Sequence, residues 1–175
     1  NCSDYGIVTT NYNSLDIFIW YCLFEDCGAG IYNSAGNYNA FENVFLRSFN
    51  GDCVSNNNGY FNITNNTSIN SKIFMDFYAG QAFVQGNKVY NTNDPIAIKA
   101  SNYFGGAQAI IGNIIKSKTG NTGPCIDASS GNRIIVNNKY TVATPLLLGG
   151  RNQILNDSIL PPSQINEPDT IYLPG

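Results

Sequence analysis

The sequence has no histidine and a single methionine, and only 12% of its 175 residues are charged. Without imidazole the chain cannot assemble a Ser-His or Cys-His nucleophile from its own residues, nor a His-ligated zinc site. Its nine Lys and Arg residues are scattered and outnumbered by twelve Asp and Glu, for a net charge of −3. Nucleic acid and acidic membrane surfaces both require clustered cations, so neither is an expected partner. No apolar run approaches the roughly 20 residues needed to cross a bilayer. The five cysteines, at positions 2, 22, 27, 53 and 125, form no C-x-x-C pair, and no metal site is expected from them. Cys22, Cys53 and Cys125 read as small buried apolar residues. Nothing at Asn1 resembles an initiator Met or the apolar core of a leader, and the opening residues read as the middle of a repeat. Any leader is therefore expected to have been removed or to lie upstream in a longer precursor, the protein being secreted or on the cell surface, with other chains or the rest of that precursor as its expected protein partners.

What is present is asparagine, aromatic residues (13%) and short Ile- and Val-rich runs. The runs repeat. Phe41-Glu42-Asn43, Ile63-Thr64-Asn65-Asn66, Val84-Gln85-Gly86-Asn87, Ile110-Ile111-Gly112-Asn113, Ile135-Val136-Asn137-Asn138 and Ile154-Leu155-Asn156-Asp157 are each an apolar strand ending in Asn or Asp. With Cys22 in the same place after Phe18-Ile19-Trp20-Tyr21, the steps are 21, 23, 21, 26, 25 and 19 residues, 22.5 on average. That is the period of a solenoid. A second strand follows each polar position (Val44-Phe45-Leu46, Lys88-Val89-Tyr90, Ile114-Ile115-Lys116), and later a third (Gly30-Ile31-Tyr32-Asn33, Ile96-Ala97-Ile98-Lys99, Cys125-Ile126-Asp127-Ala128). Three strands per repeat describe a triangular coil. An inward Asn at a tight corner can bond the backbone of coils above and below, satisfying groups the turn would bury. Leucine-rich repeats share the period but need far more than nine Leu, and a β-sandwich would alternate with hairpin turns. The expected fold is all-β: a right-handed parallel β-helix of about seven three-strand coils with an Asn ladder, over residues 1–160. Residues 161–175, with Pro161, Pro162 and Pro168, are expected to leave the stack as a tail or cap. Variable loops are expected after the third strand, at 34–39, 79–81, 101–108 and 129–132.

The Asn ladder, the three strands and segments such as Gly86-Asn87-Lys88-Val89 resemble the right-handed parallel β-helix repeats of the pectate-lyase-like superfamily, over about residues 6–160. The resemblance implies an extracellular carbohydrate-active protein acting on an acidic polysaccharide. Two routes survive the lack of His: hydrolysis by paired carboxylates, or β-elimination with Lys, Arg or Tyr as base and calcium as a helper cation. Otherwise no cofactor is expected. In this superfamily the groove runs along the third strand, which makes Asp52, Asp76, Lys99 and Asp127 the catalytic candidates. Tyr32, Tyr78 and Arg47 are the candidates for binding substrate, with Lys118 at the preceding loop. Asp76, between Ile73-Phe74-Met75 and Phe77-Tyr78, reads equally as a solvated outward residue on an alternating strand. Lys99 and Asp127, one coil apart, read as a cross-strand ion pair. None of these matches the Asp trio of polygalacturonases or the calcium-and-arginine set of pectate lyases. Tyr12, Trp20, Tyr32, Tyr38, Tyr60, Tyr78 and Tyr103 are candidates to stack on sugar rings, although Trp20 reads equally as a cover for the core. The competing function is a non-catalytic surface module, adhesin-like or tailspike-like, that binds glycans or is structural. An ice-binding face is set aside, because the threonines do not align at the repeat period.

Overall fold

The computed structural model describes residues 2–100 and 108–168. The chain winds as a parallel β-solenoid of seven coils, and each coil contributes one strand to each of three seven-stranded sheets. Sheet A stacks Tyr5–Thr10, Ala29–Ala35, Gly51–Ser55, Met75–Phe77, Ile98–Lys99, Ile126–Ala128 and Leu146–Leu148. Sheet B stacks Ile17–Trp20, Tyr38–Phe41, Tyr60–Thr64, Gln81–Gln85, Gln108–Ile111, Asn132–Val136 and Arg151–Leu155. Sheet C begins at Leu23–Glu25 and Val44–Leu46 and ends at Ser158–Ile159.

The core is made of like residues stacked at one register. Ile19, Ala40, Ile63, Val84, Ile110 and Ile135 are successive partners in sheet B, all buried. In sheet A the inward column is Ile31, Cys53, Met75, Ile98 and Ile126. Sheet C sends in Phe24 and Phe45, whose rings stack with centroids 5.0 Å apart. No coil could bury these residues alone, so stability accumulates from coil-to-coil contact.

The corner between sheets B and C depends on two adjacent positions. Tyr21, Glu42, Asn65, Gly86, Gly112, Asn137 and Asn156 all take positive φ, between 55° and 66°. That left-handed step costs L residues other than Gly and Asn, and it turns the next side chain inward. There Asn43, Asn66, Asn87, Asn113 and Asn138 are buried one above another. Each donates its backbone N–H and one Nδ2 hydrogen to Oδ1 of the residue in the next coil, at 2.8–3.2 Å, through to Asp157. Nδ2 also donates to a carbonyl of the coil behind, as Asn87 does to Ile63 at 2.8 Å. At the end of the row Asp157 accepts from Asn138 through Oδ1 and from the Tyr140 hydroxyl through Oδ2.

A second corner, between sheets C and A, uses the same step at Asp26, Arg47, Asn70 and Asn91. The inward residues that follow are small, Cys27 and then hydroxyls: the Ser48 N–H donates to Ser71 Oγ, and the Ser117 N–H to Thr141 Oγ1. Insertions collect here, at residues 91–97 and 117–125, and not only after sheet A as expected. Residues 34–39 are mostly strand, interrupted only at 36 and 37. The described part of the tail folds back on the side of coils four and five. Ile165 is buried there, and Glu167 Oε1 meets Lys116 Nζ at 3.3 Å and Asn91 Nδ2 at 2.8 Å.

Asn87→Ala would strand a buried N–H and the Ile63 carbonyl at once. Since each orphaned buried group costs about 1–3 kcal/mol, the variant is expected to lose about 2–4 kcal/mol in urea unfolding with an unchanged m-value. A loss under about 1 kcal/mol would mean that the column is incidental to stability.

Candidate functional site

Sheet A brings some of the expected residues together. Its outward column runs Val8, Tyr32, Val54, Asp76, Lys99, Asp127 and Leu147. Lys99 therefore stands between two carboxylates, whose Cα positions are two rungs or roughly 9.5 Å apart. Its Nζ lies 3.3 Å from Asp76 Oδ1. The expected Lys99–Asp127 pair is not the one formed; Asp127 Oδ1 instead accepts from the Ser129 N–H and hydroxyl. Both members of the Asp76–Lys99 pair are over a third exposed, so the pair contributes little to stability. The Tyr32 ring stacks on Tyr5 at 4.5 Å, and its hydroxyl accepts from Asn56 Nδ2. Tyr78, half exposed, follows the strand that carries Asp76.

Two candidates lie elsewhere. Asp52 was expected on the outer face; its side chain is fully buried. The reason is that strict alternation fails where the chain enters sheet A. In later coils consecutive N–H groups share one carbonyl, Phe74 and Met75 on Ala97 O, then Ala97 and Ile98 on Cys125 O, and such irregularities set neighbouring residues on one side. Gly51, Asp52 and Cys53 are likewise buried in succession. Inside, the Ser68 hydroxyl donates to Asp52 Oδ2, while Oδ1 has no partner. Burial raises the Asp52 pKa to about 7, against the opposing effect of the Ser68, Ser48 and Ser71 hydroxyls. Arg47 lies at the corner between sheets C and A. Its guanidinium is committed to Asp26, at 2.7 and 3.0 Å, and to Glu25 at 2.7 Å, and these acceptors hold its pKa above the usual arginine value.

The outer face of sheet B is a site that the sequence reading largely passed over. One outward column is Phe18, Asn39, Asn62, Phe83, Ala109, Ile134 and Gln153; the next is Trp20, Phe41, Thr64, Gln85, Ile111, Val136 and Leu155. Trp20 points outward, 49% exposed, and stacks on Phe41 at 5.6 Å, with Phe18 edge-on to both at 6.2 Å. Tyr60 is 63% exposed and Phe83 39%. Between the rings, Asn62 Nδ2 donates to Asn39 Oδ1 at 2.6 Å. None of the seven strands of this sheet contains Asp or Glu, and their only charged residues are Arg133 and Arg151. Of the other stacking candidates, Tyr38 is buried with its ring against Phe61, Tyr12 is exposed, and Tyr103 lies outside the described residues. The signal available in sequence was the recurrence of aromatics at positions of one parity in the first strand of the first four repeats: Phe18 and Trp20, Phe41, Tyr60 and Phe83.

No family model matches the chain, and neither a curated protein nor a solved structure matches it. The solenoid thus stands on the structure alone. Among the described residues no cluster of three or more His, Cys, Asp or Glu side chains could hold a metal ion, and all five cysteines are unbridged.

Asp52 sets a pH dependence. Its folded pKa, about 7, lies above the unfolded value near 3.8, so the protonated fold is favoured. The contribution is complete below about pH 4 and is lost as pH rises to about 7, amounting to about 4 kcal/mol at most. Asp52→Asn is expected to flatten that part of the stability–pH profile and to be more stable than the parent at pH 8. Parallel profiles for the two proteins would show that Asp52 ionises as freely in the fold as in the unfolded chain.

Proposed function

We propose that this protein is an extracellular glycan-binding solenoid and that the outer face of sheet B is its contact surface. The observation that carries the reading is the grouping of exposed rings with side-chain amides over the first four coils of a face whose strands hold no carboxylate. Sugar rings present a C–H face that packs on aromatic planes, and hydroxyls that pair with amides, so a strip carrying both suits them. Rigidly held aromatic rings also lose little entropy on binding. Rings and amides run from Phe18 to Phe83 over three rungs, roughly 14 Å, and the acid-free face continues three rungs further to Gln153, which suits an extended polymer better than a single sugar. Kinship with the pectate-lyase-like superfamily belongs to the same proposal. It is supported by the three-sheet parallel coil and the inward Asn row.

A second reading, cleavage of a polysaccharide, is favoured by the Asp76–Lys99–Asp127 column on sheet A. There the two carboxylates or the lysine would serve as acid and base, with Tyr32 and Tyr78 alongside. Incubation with neutral and uronic-acid polysaccharides separates the readings: new unsaturated or reducing ends that vanish in Asp76→Asn and Asp127→Asn support cleavage.

Affinity electrophoresis through gels containing soluble polysaccharides tests the binding reading directly. At least one polymer is expected to retard the protein. Trp20→Ala and Phe83→Ala should each weaken that retardation about tenfold, the worth of one ring contact, without changing the melting temperature. Migration unaffected by every polymer, or retardation indifferent to both substitutions, would remove sheet B as the surface.

A further inference from the structure

At the later coils of sheet B the inward column that holds Tyr38 and Phe61 in earlier coils becomes Gln108, Arg133 and Asn152. Arg133 is almost wholly buried, at 1% exposure. Its guanidinium donates to the Ala100 and Asn132 carbonyls, Nε has no partner, and among the described residues no carboxylate lies within ion-pairing distance. Gln108 beside it has both amide atoms buried and unpaired, and Asn152 Oδ1 is unpaired as well. Burial lowers the Arg133 pKa, and the Asp127 carboxylate opposes this only from a distance, so the buried cation is costly, as is each orphaned amide atom. The fold carries this cost beneath an open depression of about 370 Å³, lined by Arg133, Gln108, Asn152, Ile134, Arg151 and Gln153 among others. Arg151 is exposed over it and has no side-chain partner among the described residues. Arg151 on the outer face and Arg133 beneath it thus place two guanidinium groups on either side of strands that carry no acid, in a protein of net negative charge.

We infer that this depression is an anion subsite, in which Arg151 and the field of buried Arg133 hold a carboxylate or sulfate substituent of the bound glycan. The inference rests on the proposal that sheet B binds glycans, and it names the substituent that the strip would select. A planar guanidinium pairs with either oxyanion through two parallel N–H donors, which a hydroxyl-only sugar cannot match. Arg133 lies too deep for direct contact in this conformation; it supplies a positive potential little screened by water.

The decisive experiment compares retardation by three polymers on one backbone: dextran, carboxymethyl-dextran and dextran sulfate, at fixed ionic strength. The parent is expected to bind an anionic form at least tenfold more tightly than plain dextran, and the preferred form tells carboxylate from sulfate. Arg151→Gln should abolish that preference, while Lys139→Gln, a surface cation on sheet C, should leave it intact. Gln108→Glu, which sets a carboxylate at the rung beside Arg133, should raise the melting temperature and also abolish the preference. Arg133→Met should weaken the preference too, and Gln108→Glu keeps the test informative if that variant fails to fold. Equal losses in Arg151→Gln and Lys139→Gln, or equal binding of charged and plain dextran, would overturn the subsite. If charge makes no difference but Trp20→Ala and Phe83→Ala weaken binding, the glycan surface stands without the subsite. If Arg151 governs binding and the aromatic substitutions do nothing, the subsite stands and the aromatic surface falls.

Discussion

A parallel coil must turn its backbone inward at each corner and still satisfy the peptide groups that the turn removes from water. Everything else in this molecule follows from how the corner between sheets B and C meets that demand. A left-handed residue breaks the strand, and the next side chain enters the interior where only a group that both donates and accepts can serve. Asn fits at the smallest size. Its Oδ1 takes the N–H of the coil before it, and its Nδ2 reaches back to a carbonyl of that coil. Because each Asn needs its neighbour in register, the row fixes the stacking of the coils, and stacking in register is what places Ile110 on Ile135, Ile98 on Ile126 and Phe24 on Phe45 in the core. Asp157 shows the same rule at the limit: it can accept from Asn138 and Tyr140 but has no amide to pass the pattern on.

This constraint is what made the fold legible. The residue type at the corner is so restricted that Asn43, Asn66, Asn87, Asn113 and Asn138 mark the period without any alignment, and the strands on either side follow from their apolar content. The second corner was not legible. Its inward residues are Cys27, Ser48, Ser71, Thr92, Ser117 and Thr141, and a mixed set of small side chains in an Asn- and Ser-rich chain leaves no visible signature.

The candidate site was legible only where strands alternate strictly. Tyr32, Asp76, Lys99 and Asp127 fall in one outward column because Met75–Phe77, Ile98–Lys99 and Ile126–Ala128 are regular. Asp52, assigned by the same rule, sits where two successive residues turn inward, and parity there carries no information. Trp20 was ambiguous because a large apolar ring beside a corner suits either side of the strand. What decides its direction is that Ile19 takes the inward place and Phe41 offers a ring in the next coil.

A solenoid separates the work of folding from the work of contact more completely than most architectures do, since alternate residues of a strand answer to different requirements. The inward set is under the demand for close packing and paired polar groups. The outward set is held at about 4.8 Å per coil and is otherwise free. Departures from packing logic on the inward side are therefore more telling than any outward residue. The column of Tyr38 and Phe61 could have continued in apolar residues to the last coil, and a chain selected only for stability would lose nothing by it. Instead it passes through Gln108, Arg133 and Asn152, where both atoms of the Gln108 amide, Asn152 Oδ1 and Arg133 Nε go unpaired. Directly outside, the same strands present Ile134, Arg151 and Gln153 around an open depression. An internal cost borne next to an external opening is what the proposed anion subsite accounts for: stability exchanged for a task, with a buried charge of the sign that such a ligand would meet.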